Sequence, residues 1–131
     1  MVNLILIRGL PGSGKSTLGY MLSPGACFSV DQYFTYYNDG VHDKAKLPEA
    51  KAWCVDQVRK LLEKRSIATV VVCDTFAQAK DLKPYLELAE EISKVRVFTL
   101  IVEGSDSELD LTSKTTQAMV KKFQIKLTGW E

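Results

Sequence analysis

Gly9-Leu10-Pro11-Gly12-Ser13-Gly14-Lys15-Ser16-Thr17 anchors the reading of this chain. It satisfies every fixed position of the pattern G-x-x-x-x-G-K-[ST]. Ahead of it, Val2 to Ile7 is an apolar, β-branched-rich run suited to a buried strand. Behind it, Leu18, Met21 and Leu22 share one face of a helix that starts near Ser16. Strand, glycine turn and helix thus stand in the order a phosphate cradle needs. Gly9, Gly12 and Gly14 let the backbone close around phosphate oxygens, with Pro11, Ser13 and Thr17 completing the loop. Inward N–H groups and the positive end of the helix dipole then favour an anion. Lys15 is expected to reach the β- and γ-phosphates of a nucleoside triphosphate, and the Ser16 hydroxyl to sit on Mg²⁺.

Alternation continues beyond the loop. Ala26 to Val30 reads as a second short strand, followed by a polar, aromatic-rich loop from Asp31 to Lys46. Pro48 suits the first turn of a helix that buries Ala50, Trp53, Cys54, Val58, Leu61 and Leu62. Ala68 to Cys73 is a continuous Val-rich run, expected of a strand covered on both faces. A further helix turns Leu82, Tyr85, Leu86, Ala89 and Ile92 inward, with Pro84 near its beginning. Val95 to Val102 supplies a fourth strand, and residues 115–127 a last helix carrying Met119, Val120, Phe123 and Leu127. The expected fold class is α/β, a three-layer sandwich around a central parallel sheet, with residues 1–131 as one domain.

Composition excludes several classes. The chain has 131 residues, 46% of them hydrophobic and 25% charged, as expected of an ordinary globule. A net charge of +1 lacks the basic footprint of most nucleic-acid binders. The apolar start is too short to span a membrane, so no membrane partner is expected. Cys27, Cys54 and Cys73 are odd in number and free of any C-x-x-C pattern. They read as buried thiols in a reducing, cytoplasmic setting.

Ligands of such sheets bind beyond the carboxyl ends of the strands. Asp74, after Val70-Val71-Val72-Cys73, has the form of an acid that holds a metal-bound water, with a plain loop residue as the alternative. Asp31, after the second strand, is either a carboxylate that takes a proton from an acceptor hydroxyl or the N-cap of a short helix starting near Gln32.

Taken in order, GLPGSGKST, FSVDQYF, VVVCDT and LKPYLELA resemble the small P-loop kinases related to the kinase domain of phage-type polynucleotide 5′-hydroxyl kinases, in the zeta-toxin/AAA-type group. The resemblance covers about residues 2–102, with EAKAWCVDQV in the place of the helix bridging the two acidic sites. It implies a P-loop NTPase fold and transfer of the γ-phosphate of ATP, with Mg²⁺, to a hydroxyl at a nucleic-acid 5′ end. It further implies Asp31 as general base, Lys15 and Ser16 as phosphate and metal ligands, and Asp74 with Thr75 in the acceptor floor. Two positions differ from the family pattern. Phe76 stands where an Asn is usual after Asp-Thr, and the lid stretch from Glu108 to Thr116 has no arginine. Lys114 is then the cation left to meet the triphosphate, as a point charge without a fork.

Tyr33, Phe34, Tyr36 and Tyr37 form either a stacking platform for acceptor bases or a short helix packed over the sheet edge. His42 is alone at its spacing, which argues for surface and against zinc. Three functions remain open: a polynucleotide 5′-hydroxyl kinase, a kinase for a nucleoside, nucleotide or sugar, and an ATP-binding module without turnover.

Overall fold

The computed structural model describes residues 1–103. Its order is β1 (Val2–Arg8), α1 (Lys15–Leu22), β2 (Cys27–Phe28), α2 (Val30–Tyr37), a 3-10 turn (Lys44–Lys46), α3 (Leu47–Lys64), β3 (Thr69–Asp74), α4 (Ala79–Glu91) and β4 (Val95–Ile101). The sheet is parallel, in the order β2-β3-β1-β4. In register, Arg8 pairs with Asp74 and with Ile101, so three carboxyl ends come level.

Side chains that alternate along β1 and β3 divide into two cores. Val2, Leu4, Leu6, Val70 and Val72 pack on Cys54, Val58 and Leu62 of α3 and on Leu82, Tyr85 and Leu88 of α4. Ile7, Val71, Cys27 and Cys73 face the other way, under Leu18 of α1. Helices therefore lie on both faces, as alternation of the sequence requires. All three cysteines are buried free thiols, and none of the helices described is long and apolar enough to cross a membrane.

At Gly19, α1 lies directly against the sheet. A Cβ there would collide with the Cys73 Sγ and stand 2.7 Å from the Cys27 Sγ and 3.3 Å from Val71 Cγ1. Gly19→Ala is therefore expected to lower stability by about 1–3 kcal/mol despite its better helix propensity. A shift in the urea unfolding midpoint measures this; a gain in stability would mean that α1 slides freely on the thiols.

Three local readings are corrected. The second strand is only Cys27–Phe28, because Val30 already begins α2. The segment expected to be a loop from Asp31 holds α2, opened by a capping box in which Gln32 Oε1 accepts the Ser29 N–H at 3.3 Å. Ser29, not Asp31, is thus the N-cap. Pro84, expected near the beginning of its helix, lies inside α4, which starts earlier, at Ala79. The expected last helix at 115–127 and the lid residue Lys114 fall outside the described residues.

Candidate active site

The loop between β1 and α1 is shaped by two left-handed glycines. Gly12 has φ 80° and Gly14, the N-cap of α1, has φ 93°. A side chain at either would be strained. Successive N–H groups around such residues form a concave, anion-seeking nest. At its start Gly9 is buried beneath Val102, whose carbonyl would be 3.1 Å from a Cβ. Leu10 offers its carbonyl to the Ser13 N–H at 3.1 Å and to Lys15 Nζ at 3.4 Å. The lysine is thus folded back across the loop mouth. Ser13 Oγ is buried and has no hydrogen-bond partner. An orphaned hydroxyl of this kind calls for a ligand atom, and a phosphate oxygen satisfies it. Pro11 lines the loop, half-buried, while Ser16 and Thr17 are exposed in the first turn of α1.

Asp74 ends β3 beside this loop. The Val30 N–H donates to its Oδ1 at 3.2 Å, which ties β3 to the first residue of α2. Burial pushes the Asp74 carboxyl up to about 7, and the charge of Asp31 pushes the same way; the Val30 hydrogen bond, Lys15 and Lys51 act against it. The structure therefore brings Lys15, Asp31, Lys51 and Asp74 into one electrostatic neighbourhood. Asp31 is exposed in the first turn of α2, where the helix dipole favours a negative charge. Lys51 comes from the first turns of α3.

Because the folded carboxyl titrates near 7 and an unfolded one near ~4, the native state holds the extra proton between these values. Folding stability then falls as pH rises from about 4 to about 7. Asp74→Asn should flatten that limb, as measured by urea unfolding at about pH 5 and about pH 8. An unchanged slope would show that Asp74 is solvated.

Other candidates are placed differently. Tyr33 donates to Glu49 Oε2 at 3.0 Å, and this carboxylate raises the tyrosine above its ordinary range. Its ring stands 5.1 Å from that of Tyr37 and 6.0 Å from that of Trp53. It belongs to the contact between α2 and α3 rather than to the Asp74 cluster. Thr75 follows Asp74, half-buried. Phe76 is a core residue: it is buried, left-handed with φ 45°, and edge-on to Tyr85 at 5.8 Å. Its carbonyl accepts Arg8 Nε at 2.9 Å. Arg8 is 1% exposed, and this buried guanidinium joins the last residue of β1 to the loop after Asp74. Burial lowers its pKa, and Asp81 offsets the effect. Nothing in the sequence marked Arg8 as more than a strand end. His42 is exposed, its ring against Phe34 at 4.6 Å, and no cluster of metal-ligating side chains stands out among the described residues.

Comparison with known proteins agrees with this architecture. Residues 4–122 match a family model described as AAA domain. A 92-residue stretch, 67% of the chain, is 36% identical to NEDD4-binding protein 2 of Homo sapiens, of whose length it spans 5%. A chain of the Pnkp1/Rnl/Hen1 RNA repair complex superposes with TM-score 0.59 at 18% identity, over 76% of this chain and 33% of that one. A gluconokinase from Sinorhizobium meliloti superposes with TM-score 0.59 at 16% identity, over 93% and 75% of the two chains. The expected parallel α/β fold of a small P-loop kinase is borne out.

Proposed function

Because the chain belongs to the AAA domain family, we propose that it is an ATP-dependent phosphotransferase acting on a hydroxyl, with a polynucleotide 5′-hydroxyl as the favoured acceptor. One observation carries the reading. Lys15, Asp31 and Lys51 all act electrostatically on the buried Asp74 at the end of β3, next to a glycine nest with an orphaned hydroxyl. A loop that only turned the chain would need none of them.

In this reading the nest holds the β- and γ-phosphates, and Lys15 leaves the Leu10 carbonyl to meet them. Ser13 Oγ gains the partner it lacks. Asp31 accepts the proton of the acceptor hydroxyl as its oxygen bonds to the γ-phosphorus. The bond from that phosphorus to the bridging oxygen breaks, and ADP departs. Ser16 and Asp74 would hold Mg²⁺, which when bound neutralises charge on the phosphoryl oxygens. A buried carboxylate raised to about 7 fits a cation, since a positive charge offsets its desolvation. Thr75 sits at the acceptor floor, and Lys114 would complete the charge around the triphosphate.

Two observations favour narrower readings. A net charge of +1 suits a small acceptor such as a nucleoside, nucleotide or sugar. Three of the four arginines are engaged elsewhere, Arg59 with Glu63 and Glu91, Arg65 with Ser93 and Arg8 with Phe76, and Arg96 is on β4. This favours a nucleotide-binding module without turnover, as an arginine clamp is worth ~10³–10⁵ in rate in related transfers. Transfer of labelled γ-phosphate from ATP across oligonucleotides, nucleosides and sugars separates the three. Label on oligonucleotides supports the favoured acceptor; label on small acceptors alone selects the second. Saturable Mg-ATP binding with no transfer selects the third.

Lys15→Ala should abolish transfer and weaken triphosphate binding. Calorimetry showing wild-type affinity for Mg-ATP in this variant would remove the loop from the mechanism.

A further inference from the structure

On the β2 edge of the sheet, a cleft of about 310 Å³ opens between α1, β2, α2 and α3, lined by Tyr20, Cys27, Gln32, Tyr36, Trp53 and Gln57 among others. None of Lys15, Asp31 or Asp74 lines it, but Asp31 and Gln32 are consecutive on α2, so cleft and active site share that helix's first turn. Its volume falls at the low end of small-molecule sites, ~300–1,000 Å³.

The walls are aromatic and the fixed groups are neutral. Tyr36 and Trp53 stand 6.1 Å apart, their planes at 67°. Tyr36 is 66% exposed, with its ring unused by either core cluster. The Gln32 amide is tied down by three hydrogen bonds: Nε2 donates to the Cys27 carbonyl at 2.9 Å and to the Tyr20 hydroxyl at 3.4 Å, while Oε1 accepts the Ser29 N–H. It acts as a rigid brace. Gln57 is half-buried, and its amide has no hydrogen-bond partner among the described residues. It therefore offers a donor and an acceptor side by side. The Cys27 N–H adds a second donor. Val71 N bonds to Ala26 O, so the N–H of the next residue faces away from β3, toward this edge. The lining described holds no carboxylate, amine or guanidinium, which disfavours a phosphate or a metal. A flat, neutral heterocycle with paired hydrogen-bonding edges matches these groups, and aromatic faces bind every base.

We propose that this cleft is a nucleobase subsite for a single-stranded polynucleotide acceptor, holding the base that follows the reacting 5′ nucleotide. The inference rests on the polynucleotide reading above and deepens it. Lys51, which acts on Asp74, and Trp53, which lines the cleft, both belong to α3, so that helix as well as α2 serves both sites.

The test compares two acceptors on the full chain: a dinucleotide with a free 5′-hydroxyl and a nucleoside 3′-phosphate, which lacks the second base. Tyr36→Ala and Gln57→Ala should each lower kcat/KM for the dinucleotide about tenfold, with transfer to the nucleoside 3′-phosphate and Mg-ATP affinity unchanged. Equal losses on both acceptors, or none on either, would overturn the subsite. Binding of an unphosphorylated single strand without ATP, read by tryptophan fluorescence and controlled with Trp53→Phe, gives an arm independent of catalysis. If no acceptor is phosphorylated yet the strand quenches Trp53 and both variants lose that quenching, the kinase reading falls and the subsite stands. If strands are phosphorylated by wild type and variants alike and Trp53 is not quenched, the subsite falls and the kinase reading stands.

Discussion

Asp31→Asn leaves Mg-ATP binding in place and lowers kcat for the best acceptor by about 10²–10⁴-fold, the usual worth of a positioned general base. The substitution is nearly isosteric, and Ser29 and Gln32, not Asp31, cap α2, so the helix keeps its start. What is removed is an exposed carboxylate one residue from the backbone N–H that holds Asp74. Loss of that charge also relieves Asp74, whose carboxyl should then titrate lower. The rate defect and a downward shift in the Asp74 titration belong together. Full activity in Asp31→Asn would assign this residue to the helix dipole and nothing more.

Arg8→Met should cost about 3 kcal/mol or more of folding free energy, measured by urea unfolding. The methionine fills part of the space but leaves the buried Phe76 carbonyl without its donor. Phe76 is held at φ 45°, a conformation that persists only when its surroundings enforce it. Without the guanidinium the loop after Asp74 should relax, so Mg-ATP binding weakens along with stability. Arg8→Lys should recover little, since an ammonium cannot fork between the Phe76 and Ala77 carbonyls as the guanidinium does. A loss below about 1 kcal/mol in Arg8→Met would show that water replaces the arginine.

Much of this architecture was legible because local and global preferences coincide. The Val-rich run of β3 and the apolar run of β1 have one stable solution, a doubly covered parallel sheet, and the glycine loop between β1 and α1 admits few shapes. α2 stood in the sequence only as one of two alternatives, because its aromatics hide the helical period: Phe34 is buried, whereas Tyr36 and Tyr37 are exposed. The Ser29-x-x-Gln32 box was the signal that marks this helix. Arg8 was invisible because its partners include main-chain carbonyls 68 and 69 positions away, and no pattern in a sequence announces such contacts. Phe76 looked like a lost polar contact and is instead a packing residue against Tyr85. The cleft at the β2 edge was unreadable for a similar reason. Tyr20, Tyr36, Trp53 and Gln57 come from three helices, and only the packing of α2 on α3 and α1 gathers them.

The buried acid at the end of β3, pushed up to about 7, also gives nucleotide loading a calorimetric signature. A cation arriving beside Asp74 expels whatever proton is still bound, and the buffer must absorb it. Observed heats of Mg-ATP association near neutrality should consequently scale with the buffer's own ionisation enthalpy, being different in Tris and in phosphate, and converge in alkaline solution.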